Sequence, residues 1–449
     1  MSDRRRLGRL VHLLCHQPPV AALRRAAAEA GVEAHLVGGV VRDRLLGVPS
    51  RDYDTVVSGG GREIAAAVAQ GLGAHLVHLG GKEFAAYRIV DAAAGAWMLD
   101  VWDREGAPLA ADLARRDFTV NSIALDLDGV GGDDRAGWLV DPFGGVADVG
   151  RRVLRATTPG SFAGDPLRVL RLPRLLVQLP GFVADPPSLE LARRAVPGLA
   201  AVAAERVREE LVLLFRHETA HEGLGLLIAL GVYPGLWRGV PGAPQTEAAE
   251  RRAGRAAAEL QRHGPRVAEV RGLAPGAPEV DLLAARYAAT FAHLPGRDLA
   301  PEERRSQAMG AVERFRDAGY ATRSLTGRVL RLLAAGDPPA EERERRRWLH
   351  GLRALWPTAA ARAGAVLADG DAERRSRWRA AVAELGVLVE RDGGRILDPP
   401  RLLTGEEVQR LLDVPPGPEV GRALERVRRA QVEGDVATAE EAAALLRGG

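Results

Sequence analysis

Two aspartates separated by one tyrosine, Asp52-Tyr53-Asp54, offer this chain's sharpest chemistry. On an extended strand alternate side chains share a face, so both carboxylates point the same way. Adjacent anions repel unless a cation lies between them. Mg²⁺ suits such a pair, because it takes one or two carboxylates and fills its shell from substrate phosphates. Shortly before them, Leu36-Val37-Gly38-Gly39-Val40-Val41-Arg42 reads as a strand that stops at two glycines and turns directly into a helix. Backbone N–H groups at a helix start hold phosphate oxygens, and Arg42, one turn in, can add a guanidinium. Either motif alone is common in proteins without a ligand; in succession they point to metal-dependent nucleotidyl transfer, with Asp52 and Asp54 as metal ligands. Asp100, a charge inside the apolar run 97–101, is the expected third carboxylate from a neighbouring strand, with Asp91 and Asp103 as nearby alternatives.

These residues need a sheet to hold them. Ala34 to Val37, Tyr53 to Val57, His75 to Leu79, Ala85 to Val90, Ala96 to Trp102 and Ser122 to Leu127 have strand length and composition, with Gly-rich punctuation between them. Helices fit at Val40 to Leu46, Arg62 to Gln70 and Leu109 to Arg116. The spacing predicts an α+β head, a small mixed sheet with helices, over 1–150. Beyond it Ala, Leu, Arg and Glu at helical spacing dominate, broken by Pro/Gly stretches. An all-α remainder is expected, divided into a neck over 151–275 and a body and tail over 276–449.

Composition sets bounds on this reading. With 449 residues, 46% of them hydrophobic, the chain can bury the cores of about three domains and is not disordered. Lys+Arg 62 against Asp+Glu 59 leaves a net charge of +3, so charge alone says little about a nucleic-acid partner. Lys82 is the single lysine, and the arginine excess first reflects genomic base composition. Cys15, the single cysteine, excludes an internal disulfide and a Cys-based zinc site and fits a reducing cytoplasm as a buried thiol. No run approaches the roughly 20 apolar residues of a membrane helix. Leu10 to Cys15, ended by Pro18-Pro19, reads as a first helix and not as a secretion signal.

The Gly-Gly-Val-Val-Arg-Asp turn, the Asp-Tyr-Asp strand, Arg115-Arg116-Asp117-Phe118-Thr119-Val120-Asn121-Ser122, Asp141-Pro142-Phe143-Gly144-Gly145 and Asp165-Pro166-Leu167-Arg168-Val169-Leu170-Arg171 occur in a telling order. It resembles that of class II tRNA nucleotidyltransferases, the CCA-adding enzymes, which share their head with bacterial poly(A) polymerases. Leu403-Thr404-Gly405 and the stretch from Pro416 to Gly421, then Gln431 to Gly434, are similar to the C-terminal region of many members. The motifs are dense over 36–175 and thinner over 395–445. The resemblance implies template-independent addition of C and A from CTP and ATP to a tRNA 3′ end, with release of pyrophosphate. Asp52 and Asp54 would hold two Mg²⁺ ions. Gly38, Gly39 and Arg42 would cradle the triphosphate, and Arg116 with Asp117 would meet the ribose. Asp165 and Arg168, read as i and i+3 on one helix, would choose the base: a carboxylate accepts from the exocyclic amine of C or A and arginine donates to the adjacent ring nitrogen. Arg171 and Arg174 continue that face and would brace the pocket or meet phosphate. No obligate protein partner is implied.

Three departures matter. Where the family's templating motif starts with Glu, this chain has Gly164, and Pro173 lies where the helix should continue, which predicts a kink beyond Arg171. Between Arg104 and Asp112 only Glu105 to Ala111 intervene, whereas CCA- and A-adding members resemble one another in a longer mobile loop. Members that add only CC resemble the shorter form, so CC addition alone stands as an alternative. Poly(A) polymerase and a catalytically silent RNA-binding protein are the others, the last disfavoured because a dead site has no chemical reason to keep paired anions. The arginine-rich runs 341–347 and 373–379 read as solvated helix faces, or as phosphate contacts if tRNA binds. His35, His75 and His78 sit in strand-like text and are expected to be packed, not catalytic.

Overall fold

The computed structural model describes residues 14–79, 86–92, 96–128, 138–232, 246–295, 299–367 and 370–448. They fall into two compact units, one ending at Ala201 and one beginning at Val202. The expected Leu10–Cys15 helix lies almost wholly outside the described residues. Pro18-Pro19 open a helix, Pro18–Ala30, where a proline's missing N–H is no loss.

The first unit is built on a seven-stranded mixed sheet: β1 (Ala34–Val37), β2 (Asp52–Val57), β3 (His75–Leu79), β4 (Ala86–Val90), β5 (Met98–Asp103), β6 (Ala124–Asp126) and β7 (Leu139–Val140). Their order is β3-β4-β5-β2-β1-β6-β7. β2 and β5 run parallel, and the other neighbours are antiparallel. All four β1 residues are buried, as a central strand covered on both faces requires. The helices Gly39–Leu46 and Gly61–Leu72 follow β1 and β2 and pack Val40, Val41, Ile64 and Val68 into the core. This is the expected α+β head.

Sequence and structure differ locally. The run 122–127 yields only the short β6, because Thr119–Asn121 form a tight turn of helix whose polar side chains are all turned inward. His75 and His78 are exposed, contrary to expectation, because β3 is an edge strand with no neighbour beyond it; His35 is buried. The 141–145 motif has a packing explanation. Asp141 accepts the backbone N–H groups of Gly145 (2.6 Å) and Val146 (2.9 Å), fixing the start of the Gly145–Arg151 helix. A Cβ on Gly145 would stand 2.1 Å from the Thr119 carbonyl oxygen.

The second unit is helical throughout its described residues, from Ala204–Arg216 to Ala439–Arg447. Its last part has its own apolar cluster, around Val408, Val420, Val427, Ala442 and Leu446. The arginine-rich runs are largely paired within the protein. Arg343 and Arg347 meet Glu433, Arg346 meets Asp392, Arg379 meets Glu269, and Arg374 meets Asp371. Trp378 is buried and donates to the Ala360 carbonyl. Cys15 is buried and its thiol is pushed up to about 11 by desolvation, the inert state expected. No helix among the described residues is long and apolar enough to cross a membrane.

Candidate active site

Register across the sheet gathers the acids. Asp54 on β2 stands directly opposite Asp100 on the parallel strand β5, and Asp52 opposite Met98. Tyr53, pointing the other way, is buried, while Asp52 is exposed and Asp54 half-buried. Asp100 is 7% exposed, and both its oxygens accept from Arg88 of β4, at 2.8 and 2.7 Å. Asp91 and Asp103 are occupied with backbone N–H groups instead, Asp91 with Ala96 and Asp103 with Gly61 and Glu105.

Burial raises Asp54 above the usual carboxylate range; Arg116 opposes the shift, and the charges of Asp100 and Asp52 reinforce it. An acid strained in this way has its charged state restored by a cation. The donors at hand are hard carboxylate oxygens, which fits Mg²⁺ and not a softer metal. Among the described residues no group of three or more His, Cys, Asp or Glu side chains is arranged to hold a metal.

The glycine turn lies against these acids. Gly38 has φ +79°, a conformation that favours glycine. A Cβ there would be 3.0 Å from Arg116 Nη1 and 3.6 Å from Asp54 Oδ2, so turn, guanidinium and carboxylate meet at one point. Gly39 opens the helix, beside the Arg42 guanidinium. Arg116 is steadied by Asp112, whose Oδ2 accepts from Nε at 3.2 Å and Nη2 at 3.1 Å.

A buried polar chain runs beneath the turn. Arg42 donates from Nε and Nη2 to Asp43 Oδ1 and from Nη1 to Asn121 Oδ1, the last at 2.5 Å. Asn121 Nδ2 donates to Asp117 Oδ1 at 3.0 Å, and Asp117 Oδ2 pairs with Arg171 at 3.1 Å. Burial alone would raise Asp117, but Arg171, Asn121, the Phe118 N–H and Arg168 together hold it below the usual range. Asn121 belongs to the 115–122 motif, but nothing in its local text marks a bridge between residues so far apart in the chain. Arg88 was equally hidden.

Asp165 does not share a helix with Arg168. It closes the short Ser161–Gly164 helix in an extended conformation (φ −144°), and the next helix, Arg168–Gln178, begins after it. Pro166 is the cause, since a residue preceding proline is pushed out of the helical region. Asp165 still faces the start of that helix, accepting the Leu167 N–H at 3.2 Å. Arg168 donates to the backbone carbonyls of Arg115, Arg116 and Ser161, which ties the helix to the Arg116-Asp117 segment. Pro173 sits inside the helix, which continues through it to Gln178. Arg174 bonds Gln178 at 2.7 Å, and Gly164 has open space where a side chain would stand.

Residues 34–155 match the family described as the poly A polymerase head domain, and 181–241 match the one described as probable RNA and SrmB- binding site of polymerase A. A CC-adding tRNA nucleotidyltransferase of Geobacter sulfurreducens is 33% identical over 94% of this chain and 93% of its own length. The chain belongs to the class II tRNA nucleotidyltransferase and poly(A) polymerase family. An A-adding tRNA nucleotidyltransferase of Deinococcus radiodurans is 32% identical over 92% of this chain and 95% of its own. The fold agrees with the Bacillus stearothermophilus CCA-adding enzyme in complex with CTP, at 23% identity and TM-score 0.65 over 96% of this chain and 98% of that one. The family is one of nucleotidyl-transferring enzymes.

Proposed function

We propose that this enzyme extends the 3′ end of tRNA without a nucleic-acid template, adding C and A from CTP and ATP with release of pyrophosphate. The convergence of Asp54, the Gly38 turn and the Arg116 guanidinium at one point carries this reading. Asp52 and Asp54 would hold two Mg²⁺ ions, which when bound would supply charge neutralisation at the 3′-hydroxyl and the triphosphate. The Gly39–Leu46 helix start offers backbone N–H groups to the phosphates, with the Arg42 guanidinium beside Gly39, and Arg116 with Asp117 meets the ribose. Asp117, held ionised, orients Asn121 and Arg171 around the sugar end. Asp165 accepts from the amine of C or A and repels the carbonyl of U or G. Arg168, fixed by three backbone carbonyls, sets where that reading happens. The head acts as the catalytic part, 151–275 as the base-reading neck and 276–449 as the tRNA-binding body and tail, working in the cytoplasm.

A second reading, addition of CC alone, is favoured by the segment after β5. Glu105 and Gly106 form a tight turn with positive φ. Arg104 N–H donates to Val57, Gly106 N–H to Ser58, and the Arg104 side chain to Ala107 and Glu33. Such a pinned turn leaves little chain to act as a lever between CTP and ATP. The two full-length relatives do not decide between the readings, since one is named CC-adding and the other A-adding and neither name covers both additions. The deciding experiment offers tRNA ending before CCA, after C, or after CC, with each nucleoside triphosphate singly and together. Extension by CC but never A supports the second reading, and long A tails on unrelated RNA support a poly(A) polymerase. Asp52→Ala or Asp54→Ala abolishes incorporation while tRNA binding survives; lost RNA affinity with incorporation intact overturns the assignment.

A further inference from the structure

Within the helical second unit lies a cavity of about 260 Å³ with a strongly basic wall. Arg255 reaches it from the Thr246–Leu273 helix, and His293 from the end of Leu282–Ala292. Arg304 and Arg305 come from the start of Pro301–Asp317, and Arg362 from Trp356–Val366. None of its described lining residues is acidic; Glu302 and Glu303 lie nearby, exposed, but do not line it.

The wall is built, not incidental. Behind it Glu259, 1% exposed, accepts from His293 Nε2 at 2.9 Å and stands 3.2 Å from Arg362 Nε. Its other neighbour is the fully buried His263, at 3.7 Å. Burial would raise Glu259, but Arg362 and the two imidazoles hold it well below the usual carboxylate range, so it remains an anion that orients both. Arg362 is fixed further by the Leu332 carbonyl at 3.2 Å. Four arginines thus line one hollow, and among the described residues Glu259 behind it is shared by Arg362 and His293. Like charges held together in a concave, partly desolvated place raise its potential and favour an anion. Guanidiniums from three separate helices suit the tetrahedral oxygens of phosphate. The volume falls below the roughly 300–1,000 Å³ of ordinary ligand pockets, which selects a group and not a whole nucleotide.

We propose that this hollow binds a phosphate group: a backbone phosphate of RNA, which rests on the function proposed above, or a free phosphate ion. Arg304→Gln/Arg305→Gln tests it, since Arg305 is exposed and Arg304 half-buried; unchanged thermal melting verifies the fold, and Arg255→Gln serves if the pair does not fold. Two arms are measured on the full chain: calorimetric titration with inorganic phosphate, and binding of tRNA lacking CCA across a salt series. With RNA as occupant, tRNA affinity falls about tenfold in the variant and the slope of log K against log salt shrinks by about 1. The KM for nucleoside triphosphate stays constant. With the free ion as occupant, the wild type binds phosphate, the variant does not, and tRNA affinity is unchanged. Arg304→Lys/Arg305→Lys retains much of the affinity in either case. No change in either arm overturns the proposal. The Asp52→Ala protein binds normally in both arms, so failure of nucleotidyl transfer is told apart from failure of this site.

Discussion

Replacing Asn121 with alanine removes a side chain that joins Arg42 to Asp117. Its oxygen accepts from Arg42 Nη1 and its nitrogen donates to Asp117 Oδ1, and both partners are under a tenth exposed. A hydrogen bond to a charged group is worth about 1.5–3 kcal/mol, so two of them set an upper bound near 6 kcal/mol. Arg42 keeps Asp43, and Asp117 keeps Arg171 and the Phe118 N–H, so neither is left uncompensated. About half the bound, roughly 3 kcal/mol, is expected as lost stability of the head. If about 1.4 kcal/mol of this appears as misplacement of the Gly38 turn, the KM for nucleoside triphosphate rises about tenfold. Urea unfolding gives the first quantity and steady-state incorporation kinetics the second. A double-mutant cycle with Arg42→Gln gives a coupling of about 1–2 kcal/mol. Stability within about 0.5 kcal/mol of wild type, an unchanged KM and a null cycle together refute the bridge.

Gly145→Ala places a methyl 2.1 Å from the Thr119 carbonyl oxygen and 2.7 Å from Ile123 Cγ1, and costs about 3 kcal/mol in denaturant titration. A melting curve like that of wild type would show that the two segments are not so close. Asp100→Asn tests the acid cluster through pH. Metal binding needs Asp54 ionised, its pKa is raised partly by Asp100, and activity is therefore lost as pH falls through a value above the usual carboxylate range. Removing that charge lowers the Asp54 pKa, so the acid limb of the rate profile moves to lower pH; no move, or a move upward, contradicts the arrangement. Gly164→Glu restores the family's usual residue into open space and leaves stability within about 0.5 kcal/mol. The measured ratio of CTP to ATP incorporation changes if the position takes part in reading the base, and stays fixed if it does not.

What could be read from the sequence follows the range of the forces involved. β1, β2, β3 and β5 were legible because burial imposes its period on adjacent residues, and the Gly-Gly turn and Asp52/Asp54 because their chemistry is local. Asp100 stood out as a charge in an apolar strand, and the β2–β5 register then put it opposite Asp54. Arg88 could not be read this way: an arginine in a strand says nothing about which carboxylate it will meet, and the strand order decides. The i, i+3 spacing of Asp165 and Arg168 suggests one helix, but Pro166 between them carries the contrary signal. The basic hollow draws on four separate helices and left no mark in any one of them, whereas the conspicuous arginine runs proved to be paired internally.

Two inward-facing aspartates of the head show how the fold divides its labour. Asp117 is buried, yet Arg171, Asn121, the Phe118 N–H and Arg168 hold it ionised. It titrates like a structural group, and by linkage its contribution to stability is present above the unfolded pKa and lost as pH falls through the lower folded one. Asp54, a few ångströms from Gly38, is pushed the other way, because two further acids add to its desolvation and only arginine charge opposes them. Its ionisation is unfavourable in the folded chain alone, so the fold is less stable above that raised pKa than it would be with a neutral side chain. A cation bound there removes the penalty, and the affinity for that cation contains the energy the fold gave up. On the function proposed above, the acid pushed down holds the site together and the acid pushed up is the one that works in it.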